Sequence, residues 1–364
     1  MNHRLRVVRR ALWRIGKWPL AVFAVIVLLL LLPVGYVELA CRGDGDGLAY
    51  QPLITDSLFQ RTEANTYLTY PEWHIVYAYD GLAEALKTGD EYAFDYASSV
   101  SGFWSSTCGL MAVADAHGGA SADTRAMIHT IGVSFTAEMA AKAAYEETIG
   151  RVFAWWRGQG KTPQDRAIAA TAADYAAFLR QTPWYRYPFR REAGRLWDAP
   201  MDGFFRGWER RFGIGVEFLA KAAYAQILAS AAAAAPAQLV IRTIVTGLEA
   251  PALATIPEVK VVTVRAEGVE IETPRYDLFT RILFDISQRG GRFVEIAGND
   301  DIMVTLRVPT GRDMSLPHGR QILRMKREGF ASDRILVDAK VSDLAALLNA
   351  FGIGDPGVEH VFDY

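Results

Sequence analysis

Cysteine is scarce in this chain, since only Cys41 and Cys108 occur among 364 residues. Two cysteines are too few for a disulfide-rich scaffold, and they form no cluster with the spacing of a zinc site. The chain also lacks an excess of either charge, because 39 Lys and Arg residues balance 41 Asp and Glu residues to a net charge of −2. Without a basic field the chain is not expected to bind nucleic acid.

Recognisable reactive motifs are also absent. The six histidines show neither the i,i+4 nor the Glu-x-x-His spacing that aims two ligands from one helix at a metal. The chain contains no P-loop and no G-x-S-x-G nucleophile motif. Residues 352–357 match G-x-G-x-x-G, but no helix follows them to offer its N-terminus to a phosphate. The sequence therefore predicts no cofactor and no metal.

A long apolar segment is the clearest positive feature. Residues 19–37 are apolar throughout, and as a helix they would span roughly 28 Å, close to the hydrocarbon thickness of a bilayer. Six basic residues precede this segment, and no acid occurs before Glu38. By the positive-inside rule we expect a basic cytoplasmic N-terminus over residues 1–18 and a transmembrane signal-anchor helix over 19–40. The chain would then be a single-pass protein of the inner or plasma membrane with its bulk periplasmic or extracellular.

Two other fates of this segment stay open. A cleaved signal peptide could end at Ala40, and a lipoprotein signal could end before Cys41. Both place the acidic Glu38 where such signals carry a small or aliphatic residue, which favours the retained anchor. Whether Cys41 pairs with Cys108 also stays open, because pairing requires Cys108 to lie at the membrane face.

Residues 41–49 are rich in glycine and predict a flexible linker, and residues 50–235 predict an all-α helical domain. Helix starts are indicated at Pro71, at Ser121 and at Thr162, where a capping residue or an N-terminal proline precedes a helical run. The sequence 88–90 (Thr-Gly-Asp) indicates a helix end.

An internal repeat lies within this helical domain. Residues 138–145 (EMAAKAAY) recur as residues 217–224 (EFLAKAAY). In each copy Glu, Lys and Tyr share one helix face, because Glu and Lys are spaced i,i+4 and Lys and Tyr i,i+3. Beside that face runs a seam of small residues, namely Ala137, Ala141 and Ala144 in the first copy and Val216, Ala220 and Ala223 in the second. We expect the two helices to pack together through these seams.

The repeat has two interpretations. A functional one brings Glu138, Lys142, Glu217 and Lys221 into a polar cluster that binds a ligand or holds a proton. The structural interpretation is that the chain contains two similar alanine-rich core helices, each with an ordinary surface ion pair. Glu72, His74 and Glu146 are further acid–base candidates, although residues of these types in such positions more often have a surface or capping role.

A segment between the two copies interleaves arginine with aromatic residues. This composition is typical of a contact with the membrane surface or with a partner protein. An alternative is an amphipathic helix whose arginine stems cover its aromatic side chains. The residues selected for membrane or partner contact are Trp184, Tyr185, Arg186, Arg190, Arg191 and Trp208.

At Pro236 the pattern changes from helical to alternating. Residues 236–310 predict β-α-β-β-α-β, the order of a small ferredoxin-like α+β domain, with one surplus strand. Its last two strands, 293–296 and 302–308, are expected to form a hairpin. Residues 311–364 are predicted to form a C-terminal strand–helix extension, with Ser342 as the N-cap of its helix and a docked aromatic end.

Two functions from different classes follow from these features. We expect a membrane-anchored, non-enzymatic interaction or assembly protein whose partners are the lipid bilayer and another membrane protein. The alternative is a membrane-proximal enzyme or lipid-handling protein with a polar site in the helical domain. Convergence of Glu72, His74 and the four repeat charges on one concave pocket would favour the enzyme.

Overall fold

The computed structural model of the protein describes residues 2–43, 45, 50–234 and 239–364, without the side chains of residues 2–17, 228 and 230–234. Most of the predicted linker and the predicted boundary at Pro236 lie outside these residues. Within them the chain forms an apolar N-terminal helix, a helical region and two small antiparallel sheets at the C-terminal end.

Helix α1 (Asn2–Ala40) contains a 23-residue stretch, Trp18–Ala40, that is long and apolar enough to span a membrane. A signal sequence would satisfy the same criterion of length and composition. The last turn of α1 is nevertheless part of the folded region, because the side chain of Val37 is fully buried. Cys41, which lies four residues after Val37, forms a disulfide with Cys108. The open question of cysteine pairing is thus answered in favour of a disulfide.

The helical region begins at Asn65 and confirms the predicted helix starts. Proline occupies the first turn at Pro71, the Ser121 side chain accepts a hydrogen bond from Thr124 N–H, and Thr162 forms a capping box with Asp165. The helices are α2 (Asn65–Leu68), α3 (Tyr70–Thr88), α4 (Tyr96–Asp115), α5 (Ala122–Tyr145), α6 (Arg151–Arg157), α7 (Pro163–Leu179), α8 (Phe189–Asp198) and α9 (Phe204–Ala234). A single π-helical turn, Glu146–Gly150, separates α5 from α6.

The first sheet has the strand order β2-β3-β1-β4, and every neighbouring pair is antiparallel. Its elements run in the predicted order β-α-β-β-α-β: β1 (Val240–Thr246), α10 (Ala250–Leu253), β2 (Lys260–Arg265), β3 (Gly268–Pro274), α11 (Asp277–Gln288) and β4 (Arg292–Ile296). Strand β3 lies between β1 and β2, so the β1–α10–β2 connection crosses over one strand.

The second sheet has the order β6-β7-β5-β8. Its elements are β5 (Asp301–Pro309), β6 (Arg320–Lys326), β7 (Ser332–Lys340), α12 (Val341–Phe351) and β8 (Gly357–Val361). With a loop in place of the first helix, this sheet repeats the topology of the first one. Residues 240–296 and 301–361 are therefore two copies of one supersecondary plan.

The second sheet corrects several predictions. The hairpin of 293–296 with 302–308 is wrong, because β4 pairs with β1 whereas β5 pairs with β7 and β8. The surplus strand is thus the first strand of the second sheet, and residues 311–364 complete that sheet. The N-cap of α12 is Lys340, not Ser342, since the helix already begins at Val341. The C-terminal end is docked as expected, with the Phe362 and Tyr364 side chains buried.

The two sheets and the helical region share buried cores. Alternate residues of β5, such as Val304 and Leu306, face a core formed with helices α11 and α12. On its other face the second sheet places Met303 and Leu336 against the aromatic core of the helical region. The second sheet is therefore held between the helical region on one side and the first sheet with its helices on the other.

Candidate functional site

The two copies of the sequence repeat meet across the interior of the helical region. Lys142 Nζ on α5 lies 2.8 Å from Glu217 on α9, and Lys221 Nζ on α9 lies 2.6 Å from Glu138 on α5. Lys221 also lies 3.2 Å from Glu217 and donates a hydrogen bond to the Tyr79 hydroxyl at 2.9 Å. The four repeat charges thus form crossed ion pairs between the helices, which we call the repeat cluster.

Electrostatics keep Glu217 and Lys221 of the repeat cluster ionised. Burial opposes ionisation of Glu217, but Lys142 and Lys221 outweigh that effect and lower the pKa of its carboxyl to about 2. Burial likewise opposes the charge of Lys221, yet its acidic neighbour Glu138 raises the pKa of the ammonium group well above its ordinary value. These groups are paired with one another, so they are poorly suited to exchange protons with a substrate near neutral pH.

The predicted packing through small-residue seams is wrong. All six seam residues are exposed. The helices instead face each other through the Glu-Lys-Tyr side, and long side chains bridge the gap between them. Since the seams lie about a quarter-turn from that side, they face outward.

A second buried cluster lies further along α9, centred on Arg210. Its guanidinium is fully buried and lies 3.0 Å from Glu91, 2.8 Å from Glu146 and 2.9 Å from Glu209. Glu146 opens the π-helical turn, and a β-carbon at Gly150 in that turn would overlap the Glu146 carboxylate. The absence of a side chain at Gly150 therefore leaves room for the Glu146 carboxylate beside Arg210.

The arginine cluster continues from Arg210 through Arg206 to Arg157. Arg206 lies 3.0 Å from Asp165 and 2.9 Å from Glu209, and Arg157 lies 2.9 Å from Asp90 and 2.8 Å from Asp165. Three arginines thus face five carboxylates, those of Asp90, Glu91, Glu146, Asp165 and Glu209. Burial raises the pKa of Glu91 in spite of the nearby Arg210. Burial also opposes ionisation of Asp165, but Arg206 and Arg157 outweigh it and lower the pKa of that carboxyl.

Sequence reasoning missed most of the arginine cluster. The arginine–aromatic segment is expected to form a membrane or partner contact, or an amphipathic helix whose arginine stems cover its aromatic rings. The structure instead buries Arg206 and Arg210 and exposes Phe204, Phe205 and Phe212. Of the acids only Glu146 was a candidate. The i,i+4 spacing of Arg206 and Arg210 was a usable signal, since it puts both guanidinium groups on one helix face.

The other candidate acid–base residues lie apart from both clusters. Glu72 is exposed in the first turn of α3. His74 is buried, its Nε2 lies 2.8 Å from the Ser99 carbonyl oxygen, and burial lowers the pKa of its imidazole to about 4. The six candidate residues of the enzyme hypothesis therefore do not share one pocket.

The six residues selected for membrane or partner contact are spread over α8, α9 and the turn before α8. Trp184 is half-buried with its ring centroid 5.4 Å from that of Tyr224, and Arg191 pairs with Glu192 at 2.8 Å. Trp208 stacks on Phe212 with ring centroids 5.5 Å apart. Together with Phe153, Phe204, Phe205 and Glu209, these last two rings line a shallow aromatic groove.

Among the described residues, one group of acids has the spacing of metal ligands. Glu63, Asp300 and Asp301 bring ligand oxygens within 4.8 Å of one another. Lys340 Nζ lies 3.1 Å from Asp300 and 2.7 Å from Asp301, so an ammonium group already pairs with two of these three acids.

No protein-family model, no curated protein and no solved structure matches the chain. The function must therefore be argued from the chain's own residues.

Proposed function

We propose that the chain is a membrane-anchored, non-enzymatic interaction or assembly protein whose N-terminal helix is retained as a single-pass anchor. The observation that carries this proposal is the docking of the anchor's last turn in the folded region. Val37 is fully buried, and Glu38 lies 2.6 Å from His129 Nε2 on α5. Cleavage after Ala40 would remove Val37 from the core and Glu38 from its contact with His129, so the fold favours an intact junction.

The Cys41–Cys108 disulfide supports the same reading of the junction. Lipoprotein processing would place a lipid on the thiol of Cys41, which the disulfide already uses. Disulfides persist in oxidising compartments, which agrees with a periplasmic or extracellular position for the residues after α1. The basic N-terminus supports a cytoplasmic start.

Charge placement favours an interaction protein over the enzyme alternative. In the repeat cluster every charged group has an opposite charge within 3.2 Å, so the acids and lysines form ion pairs with one another. Outside these clusters the helical region exposes large apolar side chains such as Trp155, Trp156 and Phe204. A monomeric soluble domain rarely exposes a large apolar patch unless another surface covers it.

For residues 240–361 we propose ferredoxin-like units in tandem. The support is the crossover of β1–α10–β2 around β3, which is the split β-α-β arrangement, and its repetition in β5–β8. Such units serve many functions, so they carry no activity by themselves.

A topology reporter tests the anchor, and a matched pull-down tests the interaction role. Alkaline phosphatase fused after Tyr364 should be active. An inactive phosphatase fusion, together with an active cytoplasmic reporter fused at the same point, would contradict the orientation.

The pull-down compares three forms of the full chain purified from detergent-solubilised membranes: the wild type, a Trp155→Ser/Phe205→Ser variant and a Val264→Ser control on β2. A stoichiometric companion, lipid or protein, should be lost in the first variant and kept in the control. Equal recovery from all three would refute an interaction role for the apolar surface.

A further inference from the structure

Helices α5 and α9 present their exposed sides in a single direction. They run antiparallel, because Glu138 pairs with Lys221 and Lys142 with Glu217. A two-fold axis perpendicular to such a pair brings equivalent positions to the same side. The exposed seams of both repeat copies therefore border one surface. We call the exposed positions of α5 from 127 to 144 and of α9 from 212 to 223 the outer face.

The outer face carries no charge. Its exposed residues are alanine, serine, threonine and methionine on α5 and phenylalanine, valine, leucine and alanine on α9. Phe212, Val216, Leu219 and Ala223 follow one another at i+4, i+3 and i+4, which makes a continuous stripe along α9. The charges of the same two helices point inward and pair there. This inside-out polarity is the arrangement that ionisable residues adopt in helices that contact lipid.

An aromatic cluster lies at the end of the outer face where α9 begins. Trp155 is 82% exposed and Phe204 is 65% exposed. Trp156 on α6 packs against Phe205 on α9 with ring centroids 4.8 Å apart, so the cluster joins α6 to the outer face. Tryptophan and other amphipathic aromatic side chains are enriched at the level of lipid headgroups. From Phe204 to Ala223 the helix extends roughly 28 Å, long enough for a stable interfacial contact.

The outer face is continuous with the anchor. Helix α5, which forms one half of this face, also binds the end of α1 through His129 and Arg125, both of which contact Glu38. The Cys41–Cys108 disulfide fixes the same junction to α4. An apolar surface on a helix clamped to a membrane anchor is kept beside the bilayer at a high effective concentration.

We infer that the outer face lies against the lipid bilayer with its aromatic end at headgroup level, an inference that rests on the proposed role of α1 as the anchor. A bilayer suits this face better than a protein partner does. Specific protein interfaces carry a polar rim and several hydrogen bonds, whereas this face offers no charge and few donors. On the α9 half of this face, Phe212, Val216 and Leu219 are the large apolar side chains that helices lying in the membrane plane bury at the headgroup–acyl boundary.

Nitroxide labels on the full-length chain in phosphatidylcholine–phosphatidylglycerol vesicles test this inference. Labels at Val216→Cys and Leu219→Cys report on the outer face, a label at Leu29→Cys reports on the anchor, and a label at Val264→Cys reports on exposed strand β2. The native cysteines are paired and do not compete for the label. Collisions with oxygen, which is concentrated in lipid, are compared with collisions with a water-soluble nickel chelate. We expect oxygen to dominate at positions 29, 216 and 219 and the nickel chelate to dominate at 264.

Each other outcome has a distinct meaning. Oxygen dominance at 29 with nickel dominance at 216 and 219 would overturn the inference and leave the anchor intact. Nickel dominance at 29 would overturn the anchor itself. Protection of 216 and 219 from both reagents, with dipolar broadening between chains, would show that a second copy covers the outer face and would also overturn the inference.

Discussion

Replacing Arg210 by Met tests whether the arginine cluster holds the helical region together. Methionine keeps much of the side-chain volume but leaves the carboxylates of Glu91, Glu146 and Glu209 without their shared cation. Breaking a buried ion pair from one side costs about 3 to 5 kcal/mol, because the remaining charges stay desolvated. In a domain the size of the helical region each kcal/mol lowers Tm by roughly 2 to 4 °C. Calorimetry should therefore show a Tm lower by roughly 6 to 20 °C.

The deficit of this variant should depend on pH. Removing a nearby cation raises the pKa of the buried carboxyls, and the pKa of Glu91 is already raised by burial. A carboxyl whose folded pKa exceeds its unfolded value contributes stability below the unfolded pKa and loses it as pH rises through the folded pKa. Measured against wild type at each pH, the deficit should be small near about pH 4 and grow toward about pH 7.

A matched control is Arg151→Met, since Arg151 is an exposed arginine of the same helical region that pairs with the exposed Glu147. An exposed pair contributes only tenths of a kcal/mol, so the control should melt within about 2 °C of wild type. If Arg210→Met melts with the control, or if its deficit is the same at every pH, the buried-charge reasoning is refuted.

Three further predictions concern the disulfide, the seams and the buried histidines. A Cys41→Ser/Cys108→Ser variant opens a link across a sequence separation of 67 and should lose about 4 kcal/mol in urea denaturation; an unchanged midpoint would exclude the disulfide. Ala141→Leu and Ala220→Leu lie on the exposed seams and should each change the free energy of unfolding by less than about 0.5 kcal/mol. A larger loss of stability would show that the helices pack closely at these seams. Burial lowers the pKa of His74 and His360 to about 4, so stability should fall as pH drops from about 6.5 toward 4. His360→Phe should make that fall shallower, and an unaltered pH slope would contradict the burial of His360.

The repeat shows how far the sequence could predict the site. Spacing of i,i+4 and i,i+3 fixes which side chains share a helix face. The sequence could therefore predict a cluster of Glu138, Lys142, Glu217 and Lys221. Spacing does not tell which of two adjacent faces turns inward. Alanine fits a close helix contact and an exposed surface equally well, which is why the seam prediction failed.

Long-range pairing explains the other misses. Arg210 binds Glu91 and Glu146, which lie 119 and 64 residues away, and no local pattern connects them. The same limit applies to β4 and β5, which are adjacent strands with a turn between them. Local signals suit a hairpin there, but β5 instead pairs with β7 and β8. In both cases contacts distant in sequence outweigh local preference.

The most direct test of the account is the chemical state of Cys41 in the mature chain. The protein should be purified from membranes after free thiols are alkylated, digested without reduction and analysed by mass spectrometry. The account predicts a peptide that runs unbroken through Ala40–Cys41 and is disulfide-linked to the peptide containing Cys108. A new N-terminus at Cys41, or alkylated thiols at both positions, would contradict a retained anchor leading into an oxidising compartment.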